Sequence, residues 1–206
     1  MANPNNYSPT PSVLMELREE RSVVREGYSF LDEKRLLLAS EILKQLETFR
    51  RLRERFAREY RQAAETLREA VTRHGLEDLQ VYPAGSVAGG TLSAKRHRFL
   101  GVPLQSAELH LPEHAPPRAT DPSPEARDCA AAFRRLLLHS AEVAAAKANL
   151  ERLLEEYHRT SRRARALEDV ILPELDEAVS EVSSRLEELD QEEAVRTHLP
   201  RAGGAQ

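Results

Sequence analysis

Residues 158–173, H-R-T-S-R-R-A-R-A-L-E-D-V-I-L-P, decide the fold of this chain. The first half of the stretch carries four arginines, and the second half becomes apolar before Pro173. No glycine occurs between residues 125 and 199, and Pro173 is the sole proline in that range. A proline inside a helix removes one hydrogen bond and bends the axis. We therefore predict a long helix over 125–199 with a kink near residues 169–173.

A second long helical segment lies near the start of the chain. Thr10 offers a hydroxyl cap, and Gly75 is a natural C-terminal stop for a helix over 10–75. Alternating steps of three and four residues visit 17 positions, which we call the seam positions, and 12 of them are apolar. Such a sustained seven-residue repeat predicts a left-handed coiled coil. The seam positions are Leu14, Leu17, Arg21, Val24, Tyr28, Leu31, Arg35, Leu38, Ile42, Gln45, Phe49, Leu52, Phe56, Glu59, Ala63, Thr66 and Ala70.

Residues 76–124 differ in kind from the helical segments. Seven of the chain's prolines and four of its glycines lie in this insert. Apolar and polar residues alternate over 107–111, which is typical of a strand. We predict a β-hairpin at about 90–111 with loops on either side. The polar ends, residues 1–9 and 200–206, are predicted to be disordered tails.

Two long helical segments with a compact insert between them fold back most simply as an antiparallel pair. The predicted fold class is therefore all-α, a long antiparallel two-helix coiled coil with a small β-hairpin insert. We expect the numbers of facing residues to sum to about 205–210. That register places the acidic residues beyond Pro173 beside Arg18, Arg21, Arg25, Lys34 and Arg35. It also places the arginines of residues 50–61 opposite Glu142, Glu151, Glu155 and Glu156.

Composition excludes several classes of protein. Aromatic residues make up 5% of the chain and charged residues 31%, which suits a thin helical structure better than a thick globular core. A formal charge of −4 argues against a nucleic-acid binder. No apolar run approaches the roughly 20 residues of a membrane helix, so we expect no direct membrane insertion. The single cysteine, Cys129, is compatible with a reducing compartment.

No pattern in the sequence predicts a catalytic, cofactor or metal site. Residues 85–91 imitate a phosphate loop but lack the lysine that reaches the phosphates. His110 and His114 have a ligand spacing that works on a helix, but Pro112 lies between them. No Ser/His/Asp arrangement stands out, although one sequence leaves triads formed in space open.

Two groups of arginines are candidates for binding. In residues 50–61 the arginines alternate with Glu54 and Glu59, which favours a solvated helix face. Residues 159–165 form the denser group, with Arg159, Arg162, Arg163 and Arg165. A patch that binds a partner and pairing inside the chain with Glu41 and Glu47 both fit this group, and the residues alone leave the choice open.

Four parts of the sequence resemble the D subunit of V-type (vacuolar/archaeal-type) rotary ATPases. The central stretch has the form T-x-R-R-x-x-A-L-E followed by proline, from Thr160 to Pro173. The front matches at Pro9-Thr10 and at 27–35, and the insert has Gly101-Val102-Pro103. Residues 186–193, L-E-E-L-D-Q-E-E, resemble the family's acidic ending. The chain departs from the family at Pro11, at Ala164-Arg165 and at 197–200, where members carry a lysine-rich run.

This resemblance implies a non-catalytic central-stalk subunit, the rotor shaft, which needs no cofactor. It implies as partners the A and B subunits of the catalytic ring, the F subunit, and the subunit that links the stalk to the membrane rotor ring. The expected location is cytoplasmic, peripheral to the membrane. The residues that it marks for a partner interface are Thr10, Leu14, Leu17, Lys34, Arg35, Thr160, Arg162, Arg163, Leu167, Glu168, Pro173, Glu192 and Glu193.

Two other functions remain as alternatives. A coiled-coil scaffold or adaptor without a motor role would self-associate through the same apolar stripe. A nucleic-acid binder would use both arginine groups and would show a strong dependence on salt. The balanced charge of the chain makes this second alternative the weaker one.

Overall fold

The computed structural model describes residues 7–80, 82, 87, 89–112, 119 and 121–198. Helix α1 spans Pro11–Gln80, strand β1 spans Thr91–Phe99 and strand β2 spans Val102–His110. Helix α2 spans Pro124–Ala166, a π-helical segment spans Leu167–Ile171, and helix α3 spans Leu172–His198. The predicted fold class is confirmed, because two long helical segments flank one small antiparallel sheet.

The seam positions mark the face of α1 that packs. All 17 are buried or half-buried, whereas Met15, Phe30 and Leu43, which lie off the seam, are exposed. Thr10 caps the helix, because its Oγ1 accepts a hydrogen bond of 3.3 Å from the Val13 N–H. Gly75 leaves the helical conformation with φ 77° and ψ 165°, and α1 then resumes as far as Gln80, beyond the expected end at residue 75.

The chain divides into two compact units. Unit 1 comprises residues 1–36 and 158–206, and unit 2 comprises residues 37–157. In unit 1, five buried side chains form an aliphatic cluster across α1 and α3, with Tyr7 and Leu14 packed against it. Tyr7 therefore contributes to packing although it precedes the expected start of the helix at residue 10. The buried members of this aliphatic cluster are Leu17, Leu175, Ala178, Val179 and Val182.

The helices of unit 1 pair in antiparallel fashion, but in a different register from the predicted one. Arg21 Nη1 lies 3.1 Å from Asp176 Oδ1, and a Cβ at Gly27 would lie 3.9 Å from Leu167 Cδ1. The numbers of facing residues thus sum to about 194–197, so the predicted value of 205–210 is wrong. The prediction aligned the outer ends of the two helical segments, whereas the observed register leaves the end of α3 extending past the start of α1. Consistent with this, Leu189 is 47% exposed and Val195 is 61% exposed.

Unit 2 contains two smaller clusters. Ala63, Ala132 and Leu136 form one, with Phe56 packed against it. The other joins Leu38 of α1 and Leu153 of α2 to the hairpin residues Val102 and Leu104. The insert therefore packs on the helices through β2, which supplies the support that a two-stranded sheet needs.

The hairpin pairs its strands from Thr91 opposite His110 to Phe99 opposite Val102. The two residues of the turn, Leu100 and Gly101, both have positive φ, at 48° and 88°. Positive φ at both central positions is the geometry of the tight turn that suits the twist of a hairpin. β2 has buried residues along its length, whereas every residue of β1 except Phe99 is exposed.

The π-helical segment Leu167–Ile171 immediately precedes Pro173. Proline has no N–H, so the carbonyl four residues earlier, at Asp169, loses its helical partner. A π-helical turn inside a helix relaxes the backbone around such a position. The kink predicted near residues 169–173 therefore overlaps the segment in which the α-helix is interrupted.

Candidate partner interface

The predicted interface residues near the start of α1 take part in packing within unit 1. Leu17 is 3% exposed inside the aliphatic cluster, and Leu14 packs against that cluster. Thr10 caps α1, and Arg35 lies 2.5 Å from Asp32 on its own helix. Lys34 is half-buried. These residues therefore have structural roles in α1, and a substitution at any of them would affect the helix as well as a partner interface.

The central stretch divides into buried and exposed positions. Thr160 is 2% exposed and Ala164 is fully buried, so this side of α2 faces the protein interior. Arg162, Arg163 and Arg165, which we call the arginine patch, are exposed. Within the described residues, no carboxylate lies within ion-pair distance of any of the three. Internal ion pairing is therefore not seen for these three arginines, whereas Arg159, the fourth arginine of the group, does have an interaction within the chain.

Two residues that follow the arginine patch contact α1 directly. Leu167 lies beside Gly27, because a Cβ added to Gly27 would be 3.9 Å from Leu167 Cδ1, an ordinary van der Waals distance. The Tyr28 hydroxyl donates a hydrogen bond to the Glu168 carboxylate, and this bond is the main reason that the pKa of Tyr28 lies above its ordinary value of 10.0. These contacts join the π-helical segment, which follows the arginine patch, to the part of α1 around Gly27 and Tyr28. Sequence reasoning missed the pairing of Gly27 with Leu167, although Gly27 is the sole glycine in residues 11–74.

The surface of unit 1 also exposes apolar and acidic groups. Val170 is 47% exposed and Ile171 is 36% exposed, beside the exposed Pro173. Glu192 and Glu193 are exposed near the end of α3, where the observed register leaves α3 without α1 beside it. Unit 1 therefore presents a basic region near residues 162–165 and an acidic region near its end, and each can attract a partner of opposite charge.

Unit 2 holds a polar cluster in which charged side chains join α1 to α2. Arg55 Nη2 donates to His139 Nε2 at 2.6 Å, and His139 Nδ1 donates to Glu59 Oε2 at 2.5 Å. Arg55 Nε also donates to Glu59 Oε1 at 3.0 Å. A guanidinium can only donate, so His139 must carry its proton on Nδ1. Arg55 thus pairs with Glu59 and His139, where the predicted register had placed glutamates of α2.

Two effects shift the pKa of the Glu59 carboxyl group in opposite directions. Partial burial acts to raise the pKa of Glu59, but hydrogen bonds from His139 and Arg55 outweigh it, and the pKa lies below its ordinary value of 4.5. The ionised carboxylate is therefore the form that the folded protein favours, and this cluster contributes to holding the helices of unit 2 together.

One Ser–His–Asp grouping forms in space. Ser123 Oγ lies 2.6 Å from His74 Nε2, and His74 Nδ1 lies 3.8 Å from Asp121 Oδ2. Ser123 is 4% exposed, and its hydroxyl accepts a hydrogen bond from the Ala126 N–H at 3.1 Å. These contacts make Ser123 the N-terminal cap of α2, with Pro124 at the first helical position.

The remaining candidates from the sequence fall partly outside the described residues. Within the phosphate-loop imitation at residues 85–91, residues 85, 86 and 88 lie outside them, and so does His114. Across the ranges that are described, no group of three or more histidine, cysteine or acidic side chains is placed to hold a metal ion. The helices in those same ranges contain no apolar stretch that could span a lipid bilayer.

Comparison with known proteins settles the family. The model of the family described as the D subunit of ATP synthase matches residues 13–200, which include both helical segments and the hairpin. The chain belongs to the ATP synthase D-subunit family. The V-type ATP synthase D subunit of Anaeromyxobacter dehalogenans is 33% identical over 193 residues, which cover 92% of each chain.

Two further relatives of this family member come from other lineages. The V-type ATP synthase D subunit of Thermotoga neapolitana is 27% identical over 192 residues, covering 93% of this chain and 95% of the relative. The A-type ATP synthase D subunit of Methanoregula boonei is 28% identical over 204 residues, covering 97% and 98%. The resemblance read from the sequence is therefore confirmed over nearly the whole chain.

Proposed function

We propose that this member of the D-subunit family is the non-catalytic central-stalk subunit of a V-type rotary ATPase or ATP synthase. In this role it transmits torque between the ring of A and B subunits and the rotor in the membrane. It thereby couples ATP hydrolysis or synthesis to the transport of protons or sodium ions. The F subunit and the subunit that links the stalk to the membrane rotor are its other proposed partners, and its location is the cytoplasmic side of the membrane.

The observation that carries the proposal is the family match over residues 13–200. The arrangement of unit 1 supports it, because the helices are held together by an aliphatic cluster and leave the arginine patch exposed. A shaft inside a ring acts through contacts that differ between rotational positions. Exposed arginines without an ion-pair partner among the described residues supply charge for such contacts.

The direct test is rotation of the complex that contains this chain, detached from its membrane sector and immobilised through the ring. Ser106→Cys, on the exposed side of β2, carries the probe, and Cys129→Ala removes the chain's single cysteine. We expect rotation in one direction when ATP is added and none with ADP alone. ATP hydrolysis at the wild-type rate with a stationary probe would contradict the torque role.

A further inference from the structure

The two outer edges of the hairpin differ. On the edge of β2, the Gln105 N–H donates to Asn149 Oδ1 at 2.9 Å, and Asn149 Nδ2 donates to the Gln105 carbonyl at 2.8 Å. One amide side chain of α2 thus occupies both backbone groups of Gln105, as a neighbouring strand would. Nothing comparable covers the edge of β1 within the described residues.

The pairing pattern identifies which groups of β1 are unpaired. Paired residues of an antiparallel ribbon either bond to each other or both point their backbone groups outward, and the two kinds of pair alternate. The backbone N–H and carbonyl of Gln105 point outward to Asn149, so the backbone groups of its partner Arg96 also point outward. By the same alternation, the backbone groups of Leu92, Ala94 and Arg98 point outward as well. Pro103 lies opposite Arg98 and has no N–H, which agrees with this parity.

The same strand carries a concentrated positive charge. Lys95, Arg96 and Arg98 are exposed, and none has an ion-pair partner among the described residues. Two copies of this chain that paired through β1 would bring these like charges together, which disfavours a second copy as occupant. A strand that carries carboxylates would pair both its backbone and its charge with this edge.

We propose that β1 is a docking edge for an extended acidic segment of a partner protein, which adds to the hairpin as a third strand. Backbone hydrogen bonds to Leu92, Ala94, Arg96 and Arg98 would supply affinity. The basic side chains would select for glutamate or aspartate on the incoming segment. This docking site belongs to unit 2, whereas the arginine patch belongs to unit 1, so the proposal does not depend on the torque role.

The first test is amide hydrogen exchange at single-residue resolution. The chain is purified alone and, through a tag, within the complex that it forms in its native cell. In the complex, we expect the amides of Leu92, Ala94, Arg96 and Arg98 to exchange at least about tenfold more slowly than in the isolated chain. Equal exchange at these four amides in both samples would overturn the proposal.

A second test identifies the occupant by chemistry. A zero-length carbodiimide joins an amine only to a carboxylate in direct contact, and Lys95 supplies the amine at the middle of the edge. We expect Lys95 to couple to a glutamate or aspartate in a segment of the partner, located by mass spectrometry. Protection of the β1 amides without such a product would contradict an acidic occupant.

A matched pair of variants separates strand addition from folding. Ala94→Pro removes an outward N–H and no bond between β1 and β2, whereas Ala94→Val keeps that N–H. We expect the proline variant to reduce the Lys95 product at least about tenfold and the valine variant to retain it. Unchanged exchange of the Gln105 amide, which Asn149 binds, shows that the hairpin is intact. An undiminished Lys95 product in the proline variant would overturn the proposal. The torque role is tested separately, by whether the chain recovers the subunits of the ring.

Discussion

The two units hold their helices together in different ways. In unit 1 leucine and valine side chains fill the space between α1 and α3, and the interhelical ion pair Arg21–Asp176 is partly exposed. In unit 2 the leucines Leu38 and Leu153 join α1 and α2 beside the hairpin. Around the alanines Ala63 and Ala132 less apolar surface is buried, and the Arg55–Glu59–His139 cluster spans the helices there. Side-chain contacts between the helices of unit 1 are thus mainly aliphatic, whereas in unit 2 Arg55 and Glu59 also bind His139 of the opposite helix. The arginine patch of unit 1 has no ion-pair partner among the described residues.

The largest expected effect is the loss of an aliphatic side chain in unit 1. Leu175→Ala removes a side chain that is 7% exposed inside the aliphatic cluster. We expect it to lower the free energy of unfolding by about 2–4 kcal/mol, because buried leucine truncations lose transfer energy and leave a cavity. Urea unfolding followed by circular dichroism measures the change.

The matched control is Leu189→Ala, at a leucine of the same helix that is 47% exposed. We expect a loss of no more than about 0.5 kcal/mol there. Equal losses at both leucines would contradict the observed register, since the predicted sum of 205–210 would place α1 beside Leu189.

A smaller effect, dependent on pH, is expected in unit 2. The lowered pKa of Glu59 means that its ionised form stabilises the fold. This contribution is therefore fully present above the ordinary value of 4.5 and is lost as the pH falls through the lower folded value. Glu59→Gln should reduce the free energy of unfolding by about 1 kcal/mol at pH 7. The gap between variant and wild type should close in acid.

The exposed Glu54 provides the control for this titration, because no charged partner faces it in the described part of the chain. Glu54→Gln should leave the stability within about 0.5 kcal/mol of wild type at every pH. A gap for Glu59→Gln that stayed constant down to strongly acidic pH would show that the carboxylate charge does not hold unit 2 together.

The sequence predicted the packing face of α1 well because one periodic stripe needs no knowledge of its partner. All 17 seam positions are buried or half-buried, including the polar Glu59 and Arg35. The register was wrong because it depends on where the chain turns, and the insert fixes that point through Ser123 and the start of α2. Periodicity alone gives no information about that point.

The exposure of the candidate interface residues was predictable only in part. Resemblance marked Arg162 and Arg163 but also marked the buried Leu17 and Thr160, since a family signature records packing and binding residues alike. The bare edge of β1 had no signal in the sequence, because exposure of one strand depends on how the hairpin rests on α2. Asn149, which covers the other edge, is 44 residues from its partner Gln105.

We propose that the arginine patch binds the ring of A and B subunits of a rotary ATPase. The most direct measurement is tagged capture from the native cell, comparing wild type with Arg162→Glu/Arg163→Glu. We predict that wild type recovers the A and B subunits together with the F subunit. The variant should recover at least about tenfold less of A and B, because reversed charges repel the surface that the arginines attract.

Unchanged helicity by circular dichroism must accompany this loss, since both side chains are exposed and unpaired among the described residues. Recovery of the wild-type chain alone, or with unrelated proteins, would contradict the shaft role and favour a coiled-coil scaffold. Equal recovery of A and B by both proteins would contradict the role assigned to the arginine patch.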